Sequence, residues 1–127
     1  MRGYDSCGIA LIDKENEMHF TKYASTQRFG GDCIRRLSLE VQEHEKHNHN
    51  VGIGHTRWAT HGDKTDKNSH PHFDTKKRVA LVHNGIIENY KALKDQLERE
   101  HGDTVKLTSE TDTELVAQWV GVYLDQG

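Results

Sequence analysis

The chain has 127 residues, 33% hydrophobic and 29% charged, which fits one domain with a thin hydrophobic core. Its 17 Lys and Arg residues stand against 20 Asp and Glu residues, so the charge balance gives no indication of a nucleic-acid partner. No apolar run approaches the roughly 20 residues of a membrane span, and two cysteines are too few for a disulfide framework, so we expect a cytoplasmic, reduced protein.

The first half of the chain predicts three strands and one helix. Short apolar or alternating runs indicate the strands, and an apolar stripe with a helical period indicates the helix. Asp32 stands where it can cap that helix. In chain order, the elements are a strand at 7–12, a hairpin partner at 17–23, a helix from Asp32, a polar loop at 44–50 and a strand at 51–55.

The second half predicts a long polar loop, two strands and two helices. The loop covers residues 58–77, and a loop of this length inside a compact domain is more often functional than idle. Asn89 can cap the first helix, and Thr108 or Ser109 the second. Together with the first half, these elements predict layers of sheet and helix. They are a strand at 79–82, a helix through 90–97, a strand at 105–107 and a helix carrying the apolar residues of 115–123.

A polar interruption at His83-Asn84-Gly85 lies between two apolar runs. Gly frees the backbone for a tight turn, and Asn brings an amide donor and an acceptor. An Asn-Gly pair is most commonly a simple turn dipeptide. It also supplies what an oxyanion hole needs, namely a side-chain amide and a free backbone N–H beside it. The residues alone leave both interpretations open.

The motif H-T-R-W-A-T-H-G at 55–62 contains Arg57, whose planar guanidinium matches a carboxylate or a phosphate. The alternative is a surface loop around a partly buried Trp58. A third motif, S-E-T-D-T-E at 109–114, is either a capped helix start with acidic first-turn residues or a source of a carboxylate for a substrate ammonium. Cys7 lies in an apolar strand without an adjacent base, which favours a buried small hydrophobe over a nucleophile.

The motif N-S-H-P-H at 68–72 raises the question of a metal site. His70 and His72 share one face if this segment is a strand, and His61 or His83 could be a third ligand. No cysteine pair and no H-E-x-x-H motif accompanies them, so we favour histidines that form hydrogen bonds in a loop.

Taken together, these motifs resemble the class II glutamine amidotransferase (glutaminase) domains of the glutamine:fructose-6-phosphate aminotransferase family, also called glucosamine-6-phosphate synthases. The resemblance covers nearly the whole chain. It implies an α+β fold of the N-terminal-nucleophile (Ntn) hydrolase type, a four-layer αββα sandwich with antiparallel sheets. It also implies an enzyme of hexosamine biosynthesis, toward UDP-N-acetylglucosamine, with no cofactor and no metal. The matching blocks are R-G-Y-D-S at 2–6, the 55–62 and 68–72 motifs, V-H-N-G-I-I-E-N at 82–89 and S-E-T-D-T-E at 109–114.

The resemblance implies roles for individual residues as well. Arg57 binds the α-carboxylate of glutamine, and Asp112 holds its α-ammonium. Asn84 and the Gly85 N–H form the oxyanion hole. The other residues implied in substrate binding are Arg2 and Gly3 near the nucleophile, Trp58 in a loop over the glutamine, Thr60 and His61 beside Arg57, and His70.

The implied reaction is attack of a cysteine thiolate on the side-chain amide of glutamine, loss of ammonia and hydrolysis of the thioester by water. In the family, the nucleophile is an N-terminal cysteine well before the R-G-Y-D-S block, whereas this chain begins one residue before that block. We therefore expect a partial domain over 1–127, inactive alone, without the nucleophile, the first strand and the first helix. Cys7 is not expected to substitute for the nucleophile.

The expected partners are L-glutamine and the sugar-phosphate isomerase domain of the family, which is absent from 1–127, in a full-length homo-oligomer. No nucleic acid and no membrane are expected. Two alternatives stay open: a histidine-rich metal-binding module built on His61, His70, His72 and His83, and a non-catalytic regulatory domain descended from a glutaminase.

Overall fold

A computed structural model of the chain describes residues 5–26, 32–44, 49–57, 63 and 65–127. Their strands form two antiparallel sheets, which confirms the predicted mixture of sheet and helix. No helix in these ranges is long and apolar enough to cross a lipid bilayer. In chain order, the elements are β1 (Ser6–Asp13), β2 (Met18–Ala24), α1 (Asp32–His44), β3 (His49–Arg57), β4 (His72–Phe73), β5 (Ala80–Leu81), α2 (Tyr90–His101) and α3 (Asp112–Asp125).

The central strand of the larger sheet is β1, which pairs antiparallel with β2 on one side and with β3 on the other. One row of residues crosses the three strands at Lys22, Gly8 and His55. A Cβ added to Gly8 would lie 1.9 Å from the carbonyl oxygen of His70. Gly8 therefore lets the chain around His70 lie directly against the sheet, an approach that any larger residue would block.

A small hydrophobic core lies between α2 and α3. Leu97 of α2 and Leu115 of α3 are fully buried there, and the Trp119 indole N–H donates a hydrogen bond to the Leu93 carbonyl at 3.2 Å. Burial of a leucine side chain contributes about 1.5–3 kcal/mol to the free energy of unfolding. The two leucines are therefore principal stabilising residues of the contact between α2 and α3. Val105 and Leu107 pack against the same core.

The predicted strand at 105–107 is wrong, because these residues are irregular in the structure. Their apolar side chains pack on the helices and do not enter a strand ladder. The loops predicted at 44–50 and 58–77 are both shorter in the structure. Helix α1 continues to His44, β3 starts at His49, and the two residues of β4 interrupt the segment predicted as one long loop.

The start of α3 also differs from the prediction. The helix begins at Asp112, and Thr111 occupies the N-cap position instead of Thr108 or Ser109. The reason is the buried Glu114 carboxylate, which accepts hydrogen bonds of 2.7–3.1 Å from the backbone N–H groups of Thr108 and Ser109. These bonds hold Thr108 and Ser109 before the first turn of α3, and the helix starts after them. Asn89 does hold the N-cap position of α2, but its side chain forms no capping hydrogen bond.

Candidate functional site

The 68–72 segment is fixed on the sheet by the cross-strand row of Lys22, Gly8 and His55. The Lys22 ammonium donates hydrogen bonds to the carbonyl oxygens of Ser69 at 2.9 Å and Pro71 at 3.0 Å. On the other side of Gly8, the His55 ring stacks on the His70 ring with 4.0 Å between centroids. Burial lowers the pKa of Lys22 to about 8, which still leaves the ammonium charged at neutral pH. One charged side chain and one ring therefore hold the His70 backbone in place.

A row of neutral imidazoles runs from the sheet to the start of α3. His70 contacts His55 on one side and His72 on the other, where the ring centroids lie 4.7 Å apart. The row ends at Thr111, whose hydroxyl lies 2.7 Å from His72 Nε2. Burial lowers the pKa of His70 to about 3, helped by the repulsion that a protonated His55 beside it would cause. Burial and the Lys22 ammonium lower the pKa of His72. The row is uncharged at neutral pH and stacks without charge repulsion.

His55 sets the orientation of the Asn84 side chain. Its Nε2 lies 3.2 Å from the carbonyl oxygen of His83 and also contacts Asn84 Oδ1. A carbonyl oxygen only accepts hydrogen bonds, so Nε2 carries the proton and the side-chain oxygen of Asn84 is the atom turned toward it. The Asn84 amide nitrogen is thereby directed away from His55, and no described residue accepts a hydrogen bond from it.

Gly85 follows Asn84 with a φ of +145°, a backbone conformation that residues with a side chain rarely adopt. A Cβ at this position would lie 3.1 Å from the His83 ring. Within the described residues, no group accepts a hydrogen bond from the Gly85 N–H. Asn84 and Gly85 are both exposed, so these two neighbouring residues present their donors at the surface of the domain.

Arg57 and Asp112 bring opposite charges into the same region. Arg57 is the last residue of β3 and is 5% exposed, while Asp112 is the first residue of α3 and is 4% exposed. Burial lowers the pKa of Arg57, and the negative charges of Asp5 and Asp112 act in the opposite direction. Asp112 Oδ2 accepts a hydrogen bond of 2.8 Å from the Ile87 N–H, two residues after Gly85. This bond ties the start of α3 to the Asn84-Gly85 turn.

The structure therefore connects five of the predicted site residues through one network. The other five predicted positions lie outside the described residues: Arg2, Gly3, Trp58, Thr60 and His61. The connected residues are Arg57, His70, Asn84, Gly85 and Asp112.

Two residues of the network were missed by sequence reasoning, His55 and Lys22. His55 is the first residue of the 55–62 motif, and its alternation with Arg57 along a strand was a usable signal that both point to one face. Lys22 gave no such signal, since an isolated lysine in an alternating strand is normally a solvated side chain.

Cys7 is buried, as predicted. Its residue is 2% exposed, and burial, followed by a side-chain hydrogen bond with Cys33, raises the pKa of its thiol to about 12. A thiol with this pKa is protonated at neutral pH and has no thiolate to use as a nucleophile. Cys33 is buried as well, and both cysteines are free thiols.

The histidines considered for a metal site have other partners. His72 Nε2 pairs with Thr111, and His70 Nδ1 lies 3.4 Å from the backbone N–H of His83. Among the residues that the structure describes, His70, His72 and His83 do not bring three ligand atoms within 4.8 Å of one another. The remaining candidate, His61, lies outside those residues.

Comparison with known proteins gives a consistent result over nearly the whole chain. Residues 7–125 match a family described as a glutamine amidotransferase domain. A protein of Aeropyrum pernix named glutamine–fructose-6-phosphate aminotransferase (isomerizing) is 48% identical over 99% of this chain and 19% of its own length. Proteins with the same name from Aquifex aeolicus and Streptomyces coelicolor are 46% and 49% identical, over 94% and 91% of this chain and 18% and 17% of their own lengths. The chain thus spans less than a fifth of the length of these curated relatives.

Proposed function

The chain belongs to the glutamine amidotransferase domain family, and we propose that it binds L-glutamine at Arg57, Asp112, Asn84 and Gly85. The mixed fold with antiparallel sheets is consistent with the Ntn-hydrolase type. In this proposal, the side-chain amide of glutamine is the source of ammonia. A longer protein, of which the relatives named above are examples, uses that ammonia to convert fructose 6-phosphate into glucosamine 6-phosphate.

The observation that carries the proposal is the buried pair of opposite charges at Arg57 and Asp112. A free amino acid is a zwitterion, so its α-carboxylate and α-ammonium need one cation and one anion a short distance apart. The Arg57 guanidinium suits the carboxylate because its planar fork can donate two parallel hydrogen bonds. Asp112 uses Oδ2 for the Ile87 N–H, and no described residue donates to its other oxygen, which suits the ammonium. Binding adds no net charge to the buried site.

The Asn84-Gly85 turn is proposed to polarise the side-chain amide. As a nucleophile adds to the amide carbon, negative charge develops on the amide oxygen. The Asn84 amide N–H and the Gly85 N–H would stabilise this charge, and removal of one such donor typically costs about 10²–10³-fold in kcat. The hydrogen bond from His55 holds the Asn84 amide in advance, so little reorganisation is needed when the charge appears.

The attacking thiolate is proposed to come from neither cysteine of this sequence. Cys7 and Cys33 are both buried, and the pKa of Cys7 is about 12. In the complete reaction, a thiolate forms a C–S bond with the amide carbon and the C–N bond breaks as ammonia leaves. Water then hydrolyses the thioester to glutamate and restores the thiol. We therefore propose that the 127-residue polypeptide binds glutamine and glutamate without turning glutamine over.

Isothermal titration of the chain with L-glutamate tests the proposal, because glutamate carries the same α-carboxylate and α-ammonium. Arg57→Ala is expected to weaken binding by about 10- to 150-fold, the equivalent of one charged hydrogen-bonded contact. Arg99→Ala is the matched control, since it removes an arginine from the exposed last turn of α2 and is expected to leave the affinity unchanged. Equal affinities in wild type and Arg57→Ala would refute the assignment of Arg57.

We further propose the cytoplasm as the compartment, because two cysteines are too few for a disulfide framework. A sugar-phosphate isomerase domain as the ammonia acceptor, absence from membranes and a homo-oligomeric full-length protein complete the proposal. The word isomerizing in the name of the relatives supports the isomerase domain; this chain covers less than a fifth of their length.

A further inference from the structure

A second group of chemically active side chains lies at the far end of the larger sheet, where the β1–β2 hairpin turns. Asp13 is the last residue of β1, and His19 is the second residue of β2. His19 pairs with Leu11 across the two strands, and Asp13 stands two residues after Leu11, so both side chains project from the same face of the sheet. The Asp13 N–H donates a hydrogen bond of 3.0 Å to the Glu17 carbonyl oxygen, which places Glu17 at the same turn of the β1–β2 hairpin. We call this turn, with Asp13, Glu17 and His19, the hairpin corner.

The three side chains bring their ligand atoms close together. A carboxylate oxygen of Asp13, a carboxylate oxygen of Glu17 and a ring nitrogen of His19 all lie within 4.8 Å of one another. The closest pair is Asp13 Oδ2 and His19 Nε2, at 2.7 Å. Ligand atoms on one tetrahedral zinc ion are about 3.4 Å apart, given metal–ligand distances of about 2.1 Å. For both to bind one ion, the hydrogen bond between Asp13 and His19 has to open by about 0.7 Å, while the exposed Glu17 side chain supplies the third ligand.

Two sets of contacts orient the Asp13 and His19 side chains at the hairpin corner. Asp13 Oδ1 accepts hydrogen bonds of 2.9 Å from the N–H groups of Glu15 and Glu17, which fixes the carboxylate with Oδ2 toward His19. His49 of β3 packs edge-on against the His19 ring, with 5.5 Å between centroids and an angle of 82° between the rings. These contacts restrict the directions in which the Asp13 carboxylate and the His19 imidazole face, the role that outer-shell contacts have in metal sites.

We propose that Asp13, Glu17 and His19 form a site for one divalent transition-metal ion, with zinc as the reference ion. Two carboxylates and one imidazole are a mixed oxygen and nitrogen ligand set, which favours zinc and its neighbours over magnesium or calcium. Three protein ligands leave one coordination position for water, as in zinc sites that are not purely structural. The site lies at the end of β1 opposite to Arg57, which pairs with Ser6 at its start, and it does not depend on the proposed glutamine binding.

Titration of the tag-free chain with zinc chloride, followed by calorimetry and by the melting temperature, tests the proposal. We expect a saturable one-to-one isotherm and a rise in melting temperature that a chelator reverses. His19→Gln and Glu17→Gln are each expected to weaken this binding by at least about tenfold, because each removes one of three ligands. Glu17→Gln keeps the test decisive if His19→Gln disturbs the hairpin, since the Glu17 side chain is exposed.

His101→Gln is the matched control. His101 also lies beside a carboxylate, 3.9 Å from Glu100, but at the end of α2 and away from this corner. This variant is expected to bind zinc as the wild type does. The proposal is overturned if the chain shows no one-to-one binding, or if the Glu17→Gln affinity equals that of the wild type, which would place any bound zinc on other histidines.

Discussion

The close contact between Gly8 and the carbonyl oxygen of His70 predicts that Gly8→Ala is severely destabilising. An added Cβ would lie 1.9 Å from this oxygen, whereas an ordinary contact begins at 3.4 Å, so the two backbones must separate by about 1.5 Å. The hydrogen bonds from Lys22 to Ser69 and Pro71 do not survive such a shift. Each hydrogen bond to a charged group contributes about 1.5–3 kcal/mol, so we expect a loss of about 3–6 kcal/mol.

Urea unfolding of the variant and of a matched control measures this loss. Gly54→Ala is the control, because Gly54 lies on β3 of the same sheet and its added Cβ would meet Ile9 Cγ2 at 3.6 Å and the Gly8 oxygen at 3.8 Å. These are ordinary contacts, so Gly54→Ala is expected to change the free energy of unfolding by less than about 1 kcal/mol. A Gly8→Ala variant as stable as Gly54→Ala would refute the docking of the 68–72 segment on the sheet.

Two further predictions concern buried titratable groups. The pKa of His70 is about 3 in the folded state and about 6.5 in an unfolded chain, so the unfolded state binds more protons below pH 6.5. Stability is therefore complete above pH 6.5 and falls by up to about 1.4 kcal/mol per pH unit below it; urea unfolding with a flat profile from pH 6.5 to 5 would contradict this. The two thiols are expected to react with an aromatic disulfide reagent only after denaturant is added, because both are buried. Glutamine turnover that Cys7→Ala abolishes would contradict both this prediction and the proposed lack of activity.

The hydrophobic pattern was sufficient to predict the β1–β2 hairpin and the helices, because their apolar residues recur at regular spacing. It failed at 105–107, where two apolar residues separated by one position fit either a strand or an irregular segment over a helical core. The start of α3 could not be predicted from cap residues alone. There, the buried Glu114 carboxylate accepts hydrogen bonds from the N–H groups of Thr108 and Ser109, a contact that the local residue pattern does not show.

The residue types of the candidate site were visible in the sequence, but their connections were not. Asn84 could be recognised as a donor beside a glycine, whereas its orientation depends on His55, which lies 29 positions earlier in the chain. His55 lies on β3 and Lys22 on β2. The two residues reach opposite sides of Gly8 only because β1 pairs with both strands. A glycine in a strand indicates a close approach, yet the sequence does not state which segment approaches.

We propose that Arg57, Asp112, Asn84 and Gly85 act together on one bound glutamine. Two-dimensional NMR of the nitrogen-labelled chain during titration with L-glutamine tests it most directly, because it observes the two proposed oxyanion donors. We expect the Gly85 backbone N–H and the Asn84 side-chain amide signals to shift along one saturating curve, with D-glutamine and Arg57→Ala as negative controls. Signals of these two groups that stay unchanged at saturating L-glutamine, or that shift equally in Arg57→Ala, would contradict it.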